Sequence, residues 1–292
     1  MPPGARPESD RTGKVRQVFL GLLFANLAVV GAKFIIGLAA DSLAVLGDAV
    51  HSTADAMNNI LGLAVITIAA RAPDEDHPYG HTKFETLGAL VIVIFLSISV
   101  FELVKGAVSR LWGGTAPLEI SDLQVGILLG TLAINVAVAW YEGNRGAQLD
   151  SDLLLADAAH TRADVYVTIG VLMSVLLSRA GWALADPIVA LVVAGVVGVV
   201  AWGIVARSVP VLVDQHAVPA RAIRTVAEGV NGVASAYAIR SRGSRGHAFA
   251  ELTIAVNREA TVETAHRIAD DVELRLQEQL RLHEVVVHIE PC

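Results

Sequence analysis

The chain has a single cysteine, Cys292. No disulfide can close within it, and no thiolate-rich metal site can form. Charge is also scarce. Only 17% of the 292 residues are Asp, Glu, Lys or Arg, where soluble chains carry about 25%. The formal charge of −7 is spread along the chain with no basic stripe, so the sequence gives no nucleic-acid footprint. No G-x-x-x-x-G-K-[ST] phosphate loop is present, so no nucleotide partner is expected. There is no HExxH. The polar start, with Arg6, Arg11, Lys14 and Arg16, lacks the apolar core of a signal peptide.

What the sequence has instead is apolar length. Hydrophobic residues make up 54% of it, and its mean hydropathy is +0.56. Six apolar stretches follow one another: Val18–Ala40, Ser42–Ala70, Leu87–Val104, Leu123–Tyr141, Leu153–Ser178 and Pro187–Ala206. Each supplies roughly 20 residues, enough to cross about 30 Å of hydrocarbon as a helix. Backbone groups in lipid must be satisfied internally, which favours helices. An even number of spans puts both termini on one side. Arg71, Lys83, Arg145 and Arg207 fall on that side and Arg110 and Arg179 on the other, which predicts cytoplasmic termini.

Composition changes at Val209. Ile223, Val226 and Val230 recur at helical spacing, "AYAIRSR" and "HAFAELTIAV" read as strands joined by "GSRG", Ala265, Ile268, Val272 and Leu276 mark a second helix, and "EVVVHIEP" reads as a last strand. The expected organisation is a flexible tail over 1–16, a six-helix transmembrane domain over 17–208, and a small α+β domain (α-β-β-α-β) over 209–292. Some 80 residues fold alone only marginally, so a homodimer is expected.

The apolar runs are interrupted by a repeated octet. "DAVHSTAD" (48–55) lies in span 2 and "DAAHTRAD" (157–164) opens span 5. His51 and Asp55, and likewise His160 and Asp164, are four apart and share a helix face. Two such faces converging would offer two imidazole nitrogens and two carboxylates, a donor set that suits tetrahedral Zn²⁺ and that Mn, Fe, Co or Cd can share. The carboxylates would neutralise the ion and make its place in the membrane tolerable. Asp48 and Asp157 read either as outer partners that orient the histidines or as caps of helix turns. In "RAPDEDHPYGHTKFE", Asp74, His77 and His81 form either a second metal site or a solvated acidic loop. His288 and Glu290 share one face of a strand, with His266 on the preceding helix. They read either as chelators or as ordinary surface groups. His216, His247 and His283 form no pattern.

From about Val18 to Pro291, the two HxxxD motifs, "HPYGHTKFE" and the six spans followed by an α+β domain resemble the cation diffusion facilitator family of proton-coupled zinc and manganese exporters. The resemblance implies a homodimer in the cell membrane with a metallochaperone-like (ferredoxin-like) cytoplasmic domain. It implies a transport site at His51, Asp55, His160 and Asp164, a set similar to that of zinc-preferring members. It also implies a loop site at Asp74, His77 and His81, a C-terminal site with His266, His288 and Glu290, and a charged pair, Lys83–Asp214, at the dimer helices. Tyr237 and Thr253 stand where the family commonly has histidine, which points to one C-terminal metal or a site shared across the dimer. The expected activity is Zn²⁺ export against protons, with zinc also as a regulatory ion. An intramembrane zinc hydrolase and a sensor without flux are the alternatives. Four filled ligand positions and the missing HExxH speak against the first, and ligands at mid-membrane against the second.

Overall fold

The computed structural model describes residues 8–39, 43–113, 122–182, 184–244 and 246–292. Its first part is six long helices: α1 (Glu8–Ala39), α2 (Leu43–Ala69), α3 (Lys83–Gly113), α4 (Asp122–Gln148), α5 (Asp152–Arg179) and α6 (Ala185–Leu212). Five of them, all but α2, are long and apolar enough to cross a membrane by length and composition. The described apolar stretch of α2 is Asp55–Ala69. Helices outrun the apolar stretches because their polar ends find partners at the surface of the bundle.

Those partners fix how the ends meet. At one end, Arg11 of α1 donates to the carbonyls of Leu149 (2.7 Å) and Asp150 (2.8 Å) and pairs with Glu85 of α3 at 3.1 Å. Glu85 also accepts from the Ser151 hydroxyl, whose oxygen caps α5 by accepting from the Leu154 amide. Lys83, at the start of α3, meets Asp214, just past α6, at 2.7 Å. At the other end, Arg110 of α3 pairs with Asp186 of α6. The first end therefore gathers the start of α1, both inter-helix turns (α2–α3 and α4–α5) and the exit of α6. Residues 8–16, expected in a flexible tail, are helical instead, because Arg11 is held by the α4–α5 turn and Glu85.

Inside, α1 packs on α2, α3 on α6, and α5 on both α4 and α6. The buried surface comes from Phe19 and Leu22, Ile92 and Leu96, Leu153 and Leu154, and Val197 and Ile204. Helices in lipid approach through small residues. A methyl at Gly88 of α3 would stand 2.7 Å from Val65 Cγ1 of α2, and one at Gly170 of α5 would stand 2.6 Å from Val193 Cγ2 of α6.

The second part is α7 (Ala220–Glu228), β1 (Val233–Ser244), β2 (His247–Val256), α8 (Val262–Leu280) and β3 (Glu284–Pro291). The sheet order is β1-β2-β3, with β1–β2 antiparallel and β2–β3 parallel. Helix α8 makes the crossover that a parallel pair requires. Ala250, Leu252 and Ile254 face the two helices, against Ile223, Ala227, Val272 and Leu276. The alternate residues Glu251 and Thr253 face away from the helices, by the strand's period of two. The expected α-β-β-α-β order is the observed one.

The Arg11–Glu85–Ser151 contacts yield a prediction. Glu85 is 5% exposed, and Glu85→Ala leaves a partly buried guanidinium without its carboxylate. The expected loss is about 1.5–3 kcal/mol, read as a lower unfolding temperature of the detergent-solubilised protein. An unchanged temperature would mean the pair carries no weight.

Candidate metal sites

Asp55, the last acid of the first octet on α2, meets the i, i+4 pair of the second octet on α5. One donor atom each from Asp55, His160 and Asp164 lies within 4.8 Å of the others. His160 Nε2 is 3.8 Å from both Asp55 Oδ1 and Asp164 Oδ2. Those distances are long for hydrogen bonds. They are near the spacing of about 3.3 Å between donors on a tetrahedral ion with bonds of about 2.05 Å. His160 is buried, and its Nδ1 has no hydrogen-bond partner among the described residues. The backbones of Asp48 and His51 are helical within α2, and their side chains lie outside the described structure.

The cavity around this group is polar. It is lined by Asn26 of α1, Asn58 and Asn59 of α2, Asn135 and Glu142 of α4, and Asp157 and Thr161 of α5, together with the three donors. Asp157 does not orient the His160 ring by a hydrogen bond. Its Oδ2 and the Nδ1 of His160 are both buried without a hydrogen-bond partner among the described residues. Glu142, just beyond span 4 in the sequence, is a further carboxylate on this cavity. Its signal was the row Asn135, Val138, Glu142, at i, i+3 and i+7 on one face of α4.

The loop before α3 gathers the second group, with donor atoms of Asp74, His77 and His81 again within 4.8 Å. Asp74 Oδ1 accepts from the His77 amide at 2.7 Å and lies 3.1 Å from His77 Nδ1. Its Oδ2 is 3.4 Å from His81 Nε2. Gly80, at φ +79°, makes the bend after Pro78 that brings the histidines together. The His81 side chain is buried, with Nδ1 unpartnered. The His77 backbone amide, more than any other group, holds the Asp74 carboxyl below its ordinary value. The loop docks on the second domain: the Arg242 guanidinium lies 3.9 Å over the Tyr79 ring, which meets Phe249 edge-on at 5.5 Å.

In the C-terminal domain, His288 Nε2 is 3.7 Å from Glu290 Oε1 on the outer face of β3. The Tyr237 hydroxyl donates to Glu290, and this hydrogen bond raises the tyrosine's own pKa. Tyr237, Thr253 and His288 stand in register across the three strands. His266 does not join them within one chain: it sits on α8, on the opposite side of the sheet, 3.8 Å from Asp270. His247 and His283, without a pattern in sequence, stack at 3.9 Å between ring centroids. The Lys83–Asp214 pair forms within one chain.

An apolar six-helix bundle bearing a small α+β domain defines a multi-pass membrane protein. Residues 20–213 match the family model described as the cation efflux transmembrane domain, and residues 218–292 match the cation efflux protein cytoplasmic domain. The chain belongs to the cation diffusion facilitator (cation efflux) family, and it is a cation efflux transporter, not an enzyme. Similar proteins include the manganese efflux system protein MneP of Bacillus subtilis, 29% identical over 97% of this chain and 98% of that protein. The cation-efflux pump FieF of Shewanella oneidensis is 27% identical over 91% of this chain and 90% of that one. Among solved structures, a variant of the MamM C-terminal domain is 30% identical, covering 25% of this chain and 91% of that one, with a TM-score of 0.24.

The loop's pH dependence follows from Asp74. A depressed carboxyl stabilises above its ordinary value near 4 and loses that effect as pH falls through the lowered one. The side-chain carboxyl shift of Asp74 is therefore expected to show protonation only below the ordinary value of about 4. A midpoint at or above that ordinary value would show that the His77 amide does not hold the carboxylate.

Proposed function

We propose that this transporter exports Zn²⁺ from the cytoplasm in exchange for protons, with His51, Asp55, His160 and Asp164 as its ligands in the membrane. The observation that carries this reading is the convergence of Asp55, His160 and Asp164 inside the bundle. His51, one helical turn before Asp55, would complete a tetrahedron of two imidazoles and two carboxylates. Two relatives are named as manganese efflux proteins. Mn²⁺ favours oxygen donors, and imidazole suits Zn²⁺, so the donor set supports zinc.

Metal binding needs neutral imidazole and ionised carboxylate, so metal and protons compete for the same atoms. Facing the cytoplasm, the site loads the ion and releases protons. Facing out, it takes up protons and frees the ion. Histidine's unperturbed pKa of about 6.5 suits that exchange. Rocking of the helices around the fixed site would give alternating access. In this reading the termini and the α+β domain are cytoplasmic, in the cell membrane, and the protein works as a homodimer. Metal on Asp74, His77 and His81, or on His288 and Glu290 with His266 of the second protomer, would favour one packing of the domains.

Two outcomes are expected with inside-out vesicles. His160→Ala or Asp164→Ala abolishes Zn²⁺ uptake, whereas wild-type flux in both removes the site assignment. Collapsing the pH gradient slows uptake, whereas flux indifferent to the gradient makes the protein a uniporter.

A further inference from the structure

Beside the proposed transport ligands the cavity holds two carboxylates that they leave unused. Glu142 of α4 is 2% exposed and Asp157 of α5 is 4% exposed, and both line the cavity. The Thr161 hydroxyl donates to Glu142 Oε2 at 2.9 Å and lies 3.2 Å from the Asp157 carbonyl. Asp157 lines the cavity, and its Oδ2 is buried with no hydrogen-bond partner among the described residues. Neither carboxylate has an ion-pair partner among the described residues. His160 lines the same cavity, and Arg162 of α5 packs over Gly143, where an added methyl would stand 2.5 Å from its Nη2. Two carboxylates buried on one cavity are costly without a counter-ion.

Their height in the bundle gives them a direction. Glu142 lies near the end of α4 and Asp157 near the start of α5, so both sit towards the end of the bundle that carries the α+β domain. Asp157 precedes His160 by three residues, about 4.5 Å of helix rise. Asn59 follows Asp55 by four on α2, towards the same end, and its side chain is buried in the same cavity. An ion coming from the α+β side meets these groups before it meets His160.

We propose that Glu142 and Asp157, with the Asn59 amide and the Thr161 hydroxyl, form a vestibular site that receives the divalent cation and passes it to the transport ligands. Every donor there is oxygen, with no imidazole. Hard oxygen ligands hold divalent ions with part of their water retained and discriminate weakly between Zn²⁺ and Mn²⁺. Capture therefore occurs on oxygen, and discrimination comes when the ion sheds water to bind imidazole. This inference rests on the transport reading above.

The test uses the full-length protein in proteoliposomes, with Zn²⁺ supplied on the α+β side. Glu142→Gln keeps the oxygen that accepts from Thr161 and removes only the charge. It is expected to raise KM about tenfold with kcat within about twofold, the signature of lost ground-state capture, and Glu142→Asp is expected to restore part of the loss. A purely structural role would lower kcat or protein yield and leave KM in place. A second readout does not depend on flux. Chain carrying His51→Ala, Asp55→Ala, His160→Ala and Asp164→Ala, with Asp74→Ala and His288→Ala, is titrated with Mn²⁺, with free ion read by EPR. One residual site is expected, and it is lost on adding Asp157→Asn or Thr161→Val. No residual site, or one indifferent to both changes, overturns the proposal, as does a wild-type KM in Glu142→Gln. Wild-type flux in both His160→Ala and Asp164→Ala would instead sink the transport reading.

Discussion

Ionisable side chains inside an apolar bundle must compensate one another, and the rest of this structure depends on that constraint. Asp55, His160 and Asp164 are tolerable between helices only where α2 and α5 bring both signs of charge, or a bound cation, to one point. The polar first half of α5 is the consequence. It faces inwards over its first three turns, from Leu153 to Ala163, and packs between α3, α4 and α6. The apolar second half then faces outward more freely, as Ile169, Met173 and Leu176 do.

The same end of the bundle is tied together by charge. Arg11 spans from α1 to the α4–α5 turn, and Glu85 takes both Arg11 and Ser151. Lys83 ties α3 to the exit of α6. Between them runs the loop that carries Asp74, His77 and His81, docked through Tyr79 on Arg242 and Phe249 of the second domain. The start of α5 that carries Asp157 and His160 thus shares its anchor with the helix that follows the loop. A continuous line of contacts runs from the α+β domain through Tyr79, the start of α3, Glu85 and Ser151 to α5.

Much of this was legible in the sequence because its signals are local and periodic. The HxxxD spacing places Asp164 over His160 without any knowledge of the fold, and the strand alternation of "HAFAELTIAV" gives its two faces directly. The pairing of α2 with α5 could be guessed only because the octet occurs twice. What was not legible depends on distant partners. Arg11 reads as tail until Leu149 and Asp150 of another turn are seen to hold it. Glu142 reads as the polar edge of a span until α5 covers it. His266 reads as a companion of His288 until the sheet is seen to stand between them.

The central claim is that a divalent ion is held inside the membrane by imidazole and carboxylate together. X-ray absorption on the full-length protein loaded with one Zn²⁺ per chain tests it most directly, with Asp74, His77, His288 and Glu290 replaced by alanine. The account predicts a four-coordinate shell of nitrogen and oxygen at about 2.0 Å with the scattering of two imidazoles, which falls to that of one on His160→Ala. A shell of oxygen alone, or one unchanged by His160→Ala, would contradict it.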